Sequence, residues 1–132
     1  LSTRLPVVLV GAQPSPQLMK GLNNPHIVDL GGAGDLVQTA AIMGMARVFI
    51  GIDSGLMHLA AALGTPVVGI FGPTDWRKNA PRGATHRIVH EPVECAPCEL
   101  QTCKWSGADE RKCLTQLSPP KVVEAVRELI GV

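Results

Sequence analysis

Apolar positions in this chain come in short unbroken runs, separated by glycine-rich turns and by segments with helical spacing. Residues 5–10 are a continuous apolar stretch closed by Gly11, which predicts a strand. Residues 14–22 carry proline near their start and read as a short helix. Residues 27–30 predict a second strand, ended by Gly31 and Gly32. Over residues 35–46 the positions Leu36, Thr39, Ala40 and Met43 recur at helical spacing, with Asp35 in the first turn, where a negative charge is favourable. Residues 47–52 form the next strand and residues 56–63 a helix stopped by Gly64. Residues 66–71 are apolar throughout, and residues 87–90 predict a last strand. An irregular segment, 93–117, holds every cysteine. Ser118 and Pro119 then open a helix with Val122, Val123, Val126, Leu129 and Ile130 on one broad apolar face.

Strands alternate with helices, and the strands are apolar on both sides rather than alternately. That is the pattern of a parallel sheet covered on both faces, a Rossmann-like α/β fold. Ligands of such sheets bind at the carboxyl ends of the strands. Three loops are expected there: 30–34 with Gly31, Gly32 and Gly34; Asp53-Ser54-Gly55; and 72–75 with Thr74 and Asp75. The second is the most informative. A polar turn between a strand and a helix presents free backbone N–H groups and the positive end of the helix dipole to an anion. Ser54 adds a hydroxyl, and His58 projects four residues later on the same helix face. An ordinary N-cap explains Asp53 and Ser54 equally well at this level, and short βα connections need glycine in any case.

Composition removes several function classes. The 132 residues suit one domain, and 45% hydrophobic residues supply a core. A net charge of +1 gives no electrostatic case for nucleic acid, and two Phe, two Trp and no Tyr offer no base-stacking platform. No apolar run reaches the roughly 18 residues a membrane-spanning helix needs. No signal-peptide pattern opens the chain, and its abrupt start at a strand suggests an excised domain.

The run FIGIDSGLMHLAAALGTPVVGIFGPTD, residues 49–75, resembles the ADP-heptose:lipopolysaccharide heptosyltransferases of glycosyltransferase family nine. A weaker similarity extends through residues 27–30 and the cysteine segment to Ser118 and Pro119. The resemblance implies the carboxyl-terminal, donor-binding half of a two-domain GT-B transferase. By the same resemblance Asp53 would meet donor-sugar hydroxyls or orient the turn. Ser54 and the Gly55 N–H would hold the diphosphate, and His58 would stabilise the leaving nucleoside diphosphate. The loop with Gly31, Gly32 and Gly34 would flank the base or ribose, and Thr74 and Asp75 would line the cleft rim. Leu56 stands where the family often has proline. The implied substrates are an ADP-sugar donor and a lipopolysaccharide core or other sugar acceptor, handled in the cytoplasm at the inner face of the inner membrane. The family's first donor-domain strand, with its basic phosphate-binding residue, and the amino-terminal half with the general base are expected outside this sequence. The chain alone is therefore expected to bind donor weakly and not to turn over.

Cys95, Cys98, Cys103 and Cys113 carry a Cys-x-x-Cys start and a count of four, which suit a structural tetrahedral zinc or iron site. Disulfides and free thiols packing a loop are the alternatives, the former disfavoured in a cytosolic setting. Some relatives acting on surface proteins carry a cysteine-bound iron, as the resemblance implies. His26, His86 and His90 are scattered without ligand spacing. Trp76, Arg77 and Lys78 read as a solvated loop or as a contact to an anionic acceptor. Two rival functions follow: a non-catalytic assembly module organised by a cysteine-bound metal, and a dinucleotide oxidoreductase. The second lacks a Gly-x-Gly-x-x-Gly turn after a strand.

Overall fold

A computed structural model describes residues 5–22 and 24–131. The chain divides into two compact units, with the division after Ile42.

In the first unit, β1 (Val7–Leu9) and β2 (Ile27–Asp29) pair in parallel, Val7 opposite Ile27 and Leu9 opposite Asp29. The short α1 (Pro16–Lys20) connects them, narrower than the helix expected over 14–22. Asp29 ties the unit's loops together. Its carboxylate accepts the Ser15 N–H at 2.6 Å and the Gly31 N–H at 2.9 Å. Those two bonds, Ser15 the larger, hold the Asp29 carboxyl below the usual carboxylate range. α2 (Leu36–Met45) follows. Of its expected apolar face, Met43 is buried but Leu36 is exposed.

The second unit is built on a parallel sheet of order β3-β4-β5: β3 (Phe49–Ile52), β4 (Val67–Phe71) and β5 (His86–His90). Two helices cover it. Val67 and Phe71 point to one face, against Met57, Ala60 and Ala61 of α3 (Gly55–Ala62). Val68 and Val89 point to the other, against Ala125 and Val126 of α6 (Pro119–Ile130). β4 is therefore apolar on both faces because both are packed, as its unbroken pattern required. The buried Thr65 hydroxyl donates to the Met43 carbonyl at 2.8 Å, so its one polar group is satisfied. Gly64 ends α3 at φ 81°, the left-handed conformation expected of it.

Three expectations change. The described strands form two parallel sheets, of two and three strands, rather than one. Residues after Asp75 are not loop: α4 (Trp76–Asn79) forms because the Asp75 carboxylate accepts the Arg77 N–H and caps it. The cysteine segment is not wholly irregular either, since it contains a 3-10 turn at Gly107–Asp109 and the short α5 (Lys112–Thr115). Ser118 and Pro119 stand where α6 begins, but the Ser118 hydroxyl makes no capping bond.

Candidate functional site

Parallel pairing sets Ile52 opposite Ile70 and Phe71 opposite His90. The turns that leave β3 and β4, Asp53-Ser54-Gly55 and Gly72–Asp75, therefore lie on one edge of one sheet. This is the carboxyl edge, where α/β sheets bind ligands.

At the first turn Ser54 is extended (φ −158°), and its carbonyl accepts the N–H groups of Met57 at 3.1 Å and His58 at 3.4 Å. Its hydroxyl makes no capping bond. Among the described residues, no acceptor receives the N–H of Gly55 or Leu56. The start of α3 thus offers two backbone donors, an uncommitted hydroxyl and the positive dipole end together. Ser54 is the N-cap of α3 by position, and its hydroxyl is left available. Gly55 is exposed, and a Cβ added there would meet nothing within 4 Å, so the chain's own packing does not require glycine. His58 Nε2 stands 3.7 Å from Asp53 Oδ1, with the side chains 49% and 18% exposed, open enough for the imidazole to face a ligand.

The second turn is braced from the cysteine segment. Gly72 is buried under Leu114, whose Cδ2 would lie 2.7 Å from a Cβ at that position. The Asp75 N–H donates to Glu99 Oε1 at 3.1 Å, and the Glu99 N–H donates to the Pro73 carbonyl at 2.8 Å. The Asp75 carboxylate is engaged with Arg77, through the helix cap and a 3.4 Å guanidinium contact. The Thr74 hydroxyl has no hydrogen bond among the described residues, so of this pair Thr74 is the one left available. Sequence reasoning missed Glu99; it acts across 24 residues and no local motif marks it. Trp76 is half-buried rather than fully solvated. It stacks on His90 with ring centroids 5.8 Å apart, and Arg77 lies 4.8 Å from its ring centroid. His86 Nδ1 lies 3.2 Å from the Ala84 carbonyl.

In the first unit, the glycines serve the chain itself. A Cβ at Gly31 would strike the Gln13 carbonyl, and Gly32 adopts φ 70°. Gly34 borders a pocket of about 380 Å³ shared with Val10, Leu30, Gln38, Thr39 and Ile42.

The metal expectation for Cys95, Cys98, Cys103 and Cys113 is not supported. All four are free thiols, and among the described residues no group of three or more His, Cys, Asp or Glu side chains is placed to hold an ion. Two of the thiols have other engagements. Cys113 is drawn into the interior by α5, and burial, with the nearby Cys95 adding to it, pushes its thiol up. The Cys103 sulfur accepts the Arg111 N–H at 3.3 Å. Lys112, paired with Glu94 and 5.5 Å from the Trp105 ring centroid, holds the segment where a metal was expected to. The assembly-module reading loses its organising metal with this finding.

The family model of glycosyltransferase family 9 (heptosyltransferase) matches residues 4–108. The chain belongs to this family. Family 9 relatives include lipooligosaccharide heptosyltransferase 2 of Haemophilus ducreyi, 41% identical over 110 residues, which cover 80% of this chain and 30% of the relative. Lipooligosaccharide heptosyltransferase 2 of Campylobacter jejuni is 37% identical over 83 residues, 62% of this chain and 25% of the relative. The solved structure of ADP-heptose LPS heptosyltransferase II from E. coli superposes with a TM-score of 0.71 at 24% identity, over 94% of this chain and 36% of that one. It shares the GT-B fold of the family 9 transferases. The chain spans about a fifth to a third of the length of the curated relatives it matches. No helix among the described residues is long and apolar enough to cross a membrane.

Proposed function

We propose that this family 9 domain binds the donor of an inverting sugar transfer, ADP-heptose or a related ADP-sugar, and that the acceptor is a lipopolysaccharide core. The observation that carries the reading is the start of α3. Two unpaired N–H groups, the uncommitted Ser54 hydroxyl, and His58 meet beside a glycine the fold itself does not require. This is a donor set for a diphosphate. Ser54 and Gly55 hold the phosphates, and His58, oriented by Asp53, stabilises charge as the nucleoside diphosphate leaves. An acceptor hydroxyl attacks the anomeric carbon, deprotonated by a base on the amino-terminal GT-B half. Thr74 contributes at the rim of the same edge. The work takes place in the cytoplasm, in peripheral contact with the inner membrane. Titration with ADP should shift the amide resonances of Ser54, Gly55 and His58. Unmoved resonances at millimolar ADP would overturn the reading.

A further inference from the structure

Once the metal expectation is removed, the cysteine segment has no stated task. Its contacts supply one. Three of them fall on the four-residue turn at the carboxyl end of β4. Leu114 covers Gly72, the Glu99 N–H reaches the Pro73 carbonyl, and the Glu99 carboxylate receives the Asp75 N–H. The last two bracket Thr74 on both sides. A peptide held at the residue before and the residue after has little freedom left, so the direction of the Thr74 side chain follows from Glu99.

Glu99 also occupies the left-handed region, at φ 56°. A non-glycine residue there is strained, and strain of this kind persists only where surrounding contacts over-determine the backbone. The over-determination is visible: a backbone bond from Glu99 and a side-chain bond to Glu99, both ending on one turn. A glycine would relieve the backbone but supply no carboxylate.

We infer that Glu99 is a positioning residue for nucleotide-sugar binding: its backbone and carboxylate clamp the Gly72–Asp75 turn and aim Thr74 along the ligand edge of the sheet. This inference rests on the reading of that edge as a nucleotide-sugar site. The segment around Glu99 is the arm of the clamp, braced by the Lys112–Glu94 pair and by the Cys103 sulfur on the Arg111 N–H.

Three variants separate the clamp from simple folding. Glu99→Gln keeps an oxygen acceptor for the Asp75 N–H. Glu99→Gly relieves the backbone and removes only the carboxylate; Glu99→Ala removes the carboxylate and keeps the strain. Hydrogen exchange at the Asp75 amide should quicken by about fivefold in the Gly and Ala variants and stay unchanged in the Gln variant. Affinity for an ADP-sugar should fall by about the same factor in the first two and be retained in the third. Unchanged exchange at Asp75 in Glu99→Gly would overturn the clamp. Altered exchange with unchanged ADP-sugar affinity would overturn the positioning role. Failure of the unsubstituted protein to bind any ADP-sugar would instead remove the reading of the edge, and the positioning role with it, while the exchange result still decided the clamp.

Discussion

Gly55 and Gly31 are both glycines at the end of a strand, yet different forces hold them. At Gly31 a side chain would collide with the Gln13 backbone, so the chain's own packing demands glycine. At Gly55 there is open space and no left-handed backbone, and alanine would suit a helical first turn better by up to about 1 kcal/mol. A residue that costs stability without a packing reason points to something outside the chain that must approach closely. Gly55→Ala should therefore leave the thermal midpoint unchanged or slightly raised. Its affinity for ADP should fall at least about tenfold, as one close N–H contact to phosphate is displaced. Calorimetric titration beside a melting curve reads both. An unaltered affinity would mean the open space beside Gly55 is not where phosphate sits. The motif that carries this residue was plain in the sequence. The distinction between the two glycines was not, because it depends on what lies across from each Cβ.

Elements were legible where one physical rule dominates. β4 is apolar at every position because α3 and α6 pack on its two faces, and α6 announced itself through its one-sided apolar stripe. The four-residue helices α4 and α5 were not legible. α4 depends on a single cap from Asp75, and α5 is entered through Arg111 in the left-handed region at φ 53°, a conformation no local signal marks. The four thiols differ in burial for the same kind of reason: only Cys113 is buried, and spacing along the chain does not say which sulfur an element turns inward. Ion pairs can staple such a segment without metal. In the first unit the joining element is a carboxylate, and its pH response has a definite sign. The Asp29 pKa is depressed by the Ser15 and Gly31 N–H groups. Its contribution is present above the unfolded carboxylate value, about 3.9, and is lost as pH falls through the lower folded value. Asp29→Asn leaves one acceptor oxygen for two donors, so it should lower the thermal midpoint at neutral pH. That variant should also lose part of the drop seen in the unsubstituted protein below about pH 4. Parallel midpoint curves for the two proteins across that range would show that Asp29 does not hold these loops.

At the scale of the molecule, burial is unevenly shared. None of the described residues before Met43 is buried, whereas the second unit contains Met57, Val67, Val68 and Val126 at 0% exposure. The sequence pattern concealed this, because β1 is as apolar in composition as β4 and β2 departs from it only at Asp29. What separates them is whether a helix covers each face, and that is decided by packing partners distant in the chain. The division into two sheets was hidden likewise, since hydrophobic pattern identifies strands but not their neighbours. Fold class survived both corrections, as the TM-score of 0.71 at 24% identity indicates, because alternation of element types is enough to specify it. Local stability should follow burial rather than composition. Each fully buried valine contributes about 1.5 kcal/mol or more, so the two in β4 alone favour its closed state by about 3 kcal/mol, roughly a hundredfold. Native-state hydrogen exchange should therefore find the amides of Val68 and Ile70 slower than that of Val28 by at least that factor. By the register of the parallel pairs all three N–H groups face a neighbouring strand, so the comparison turns on the packing around them. Equal protection in the two sheets would mean that the first unit draws its stability from some source other than side-chain burial.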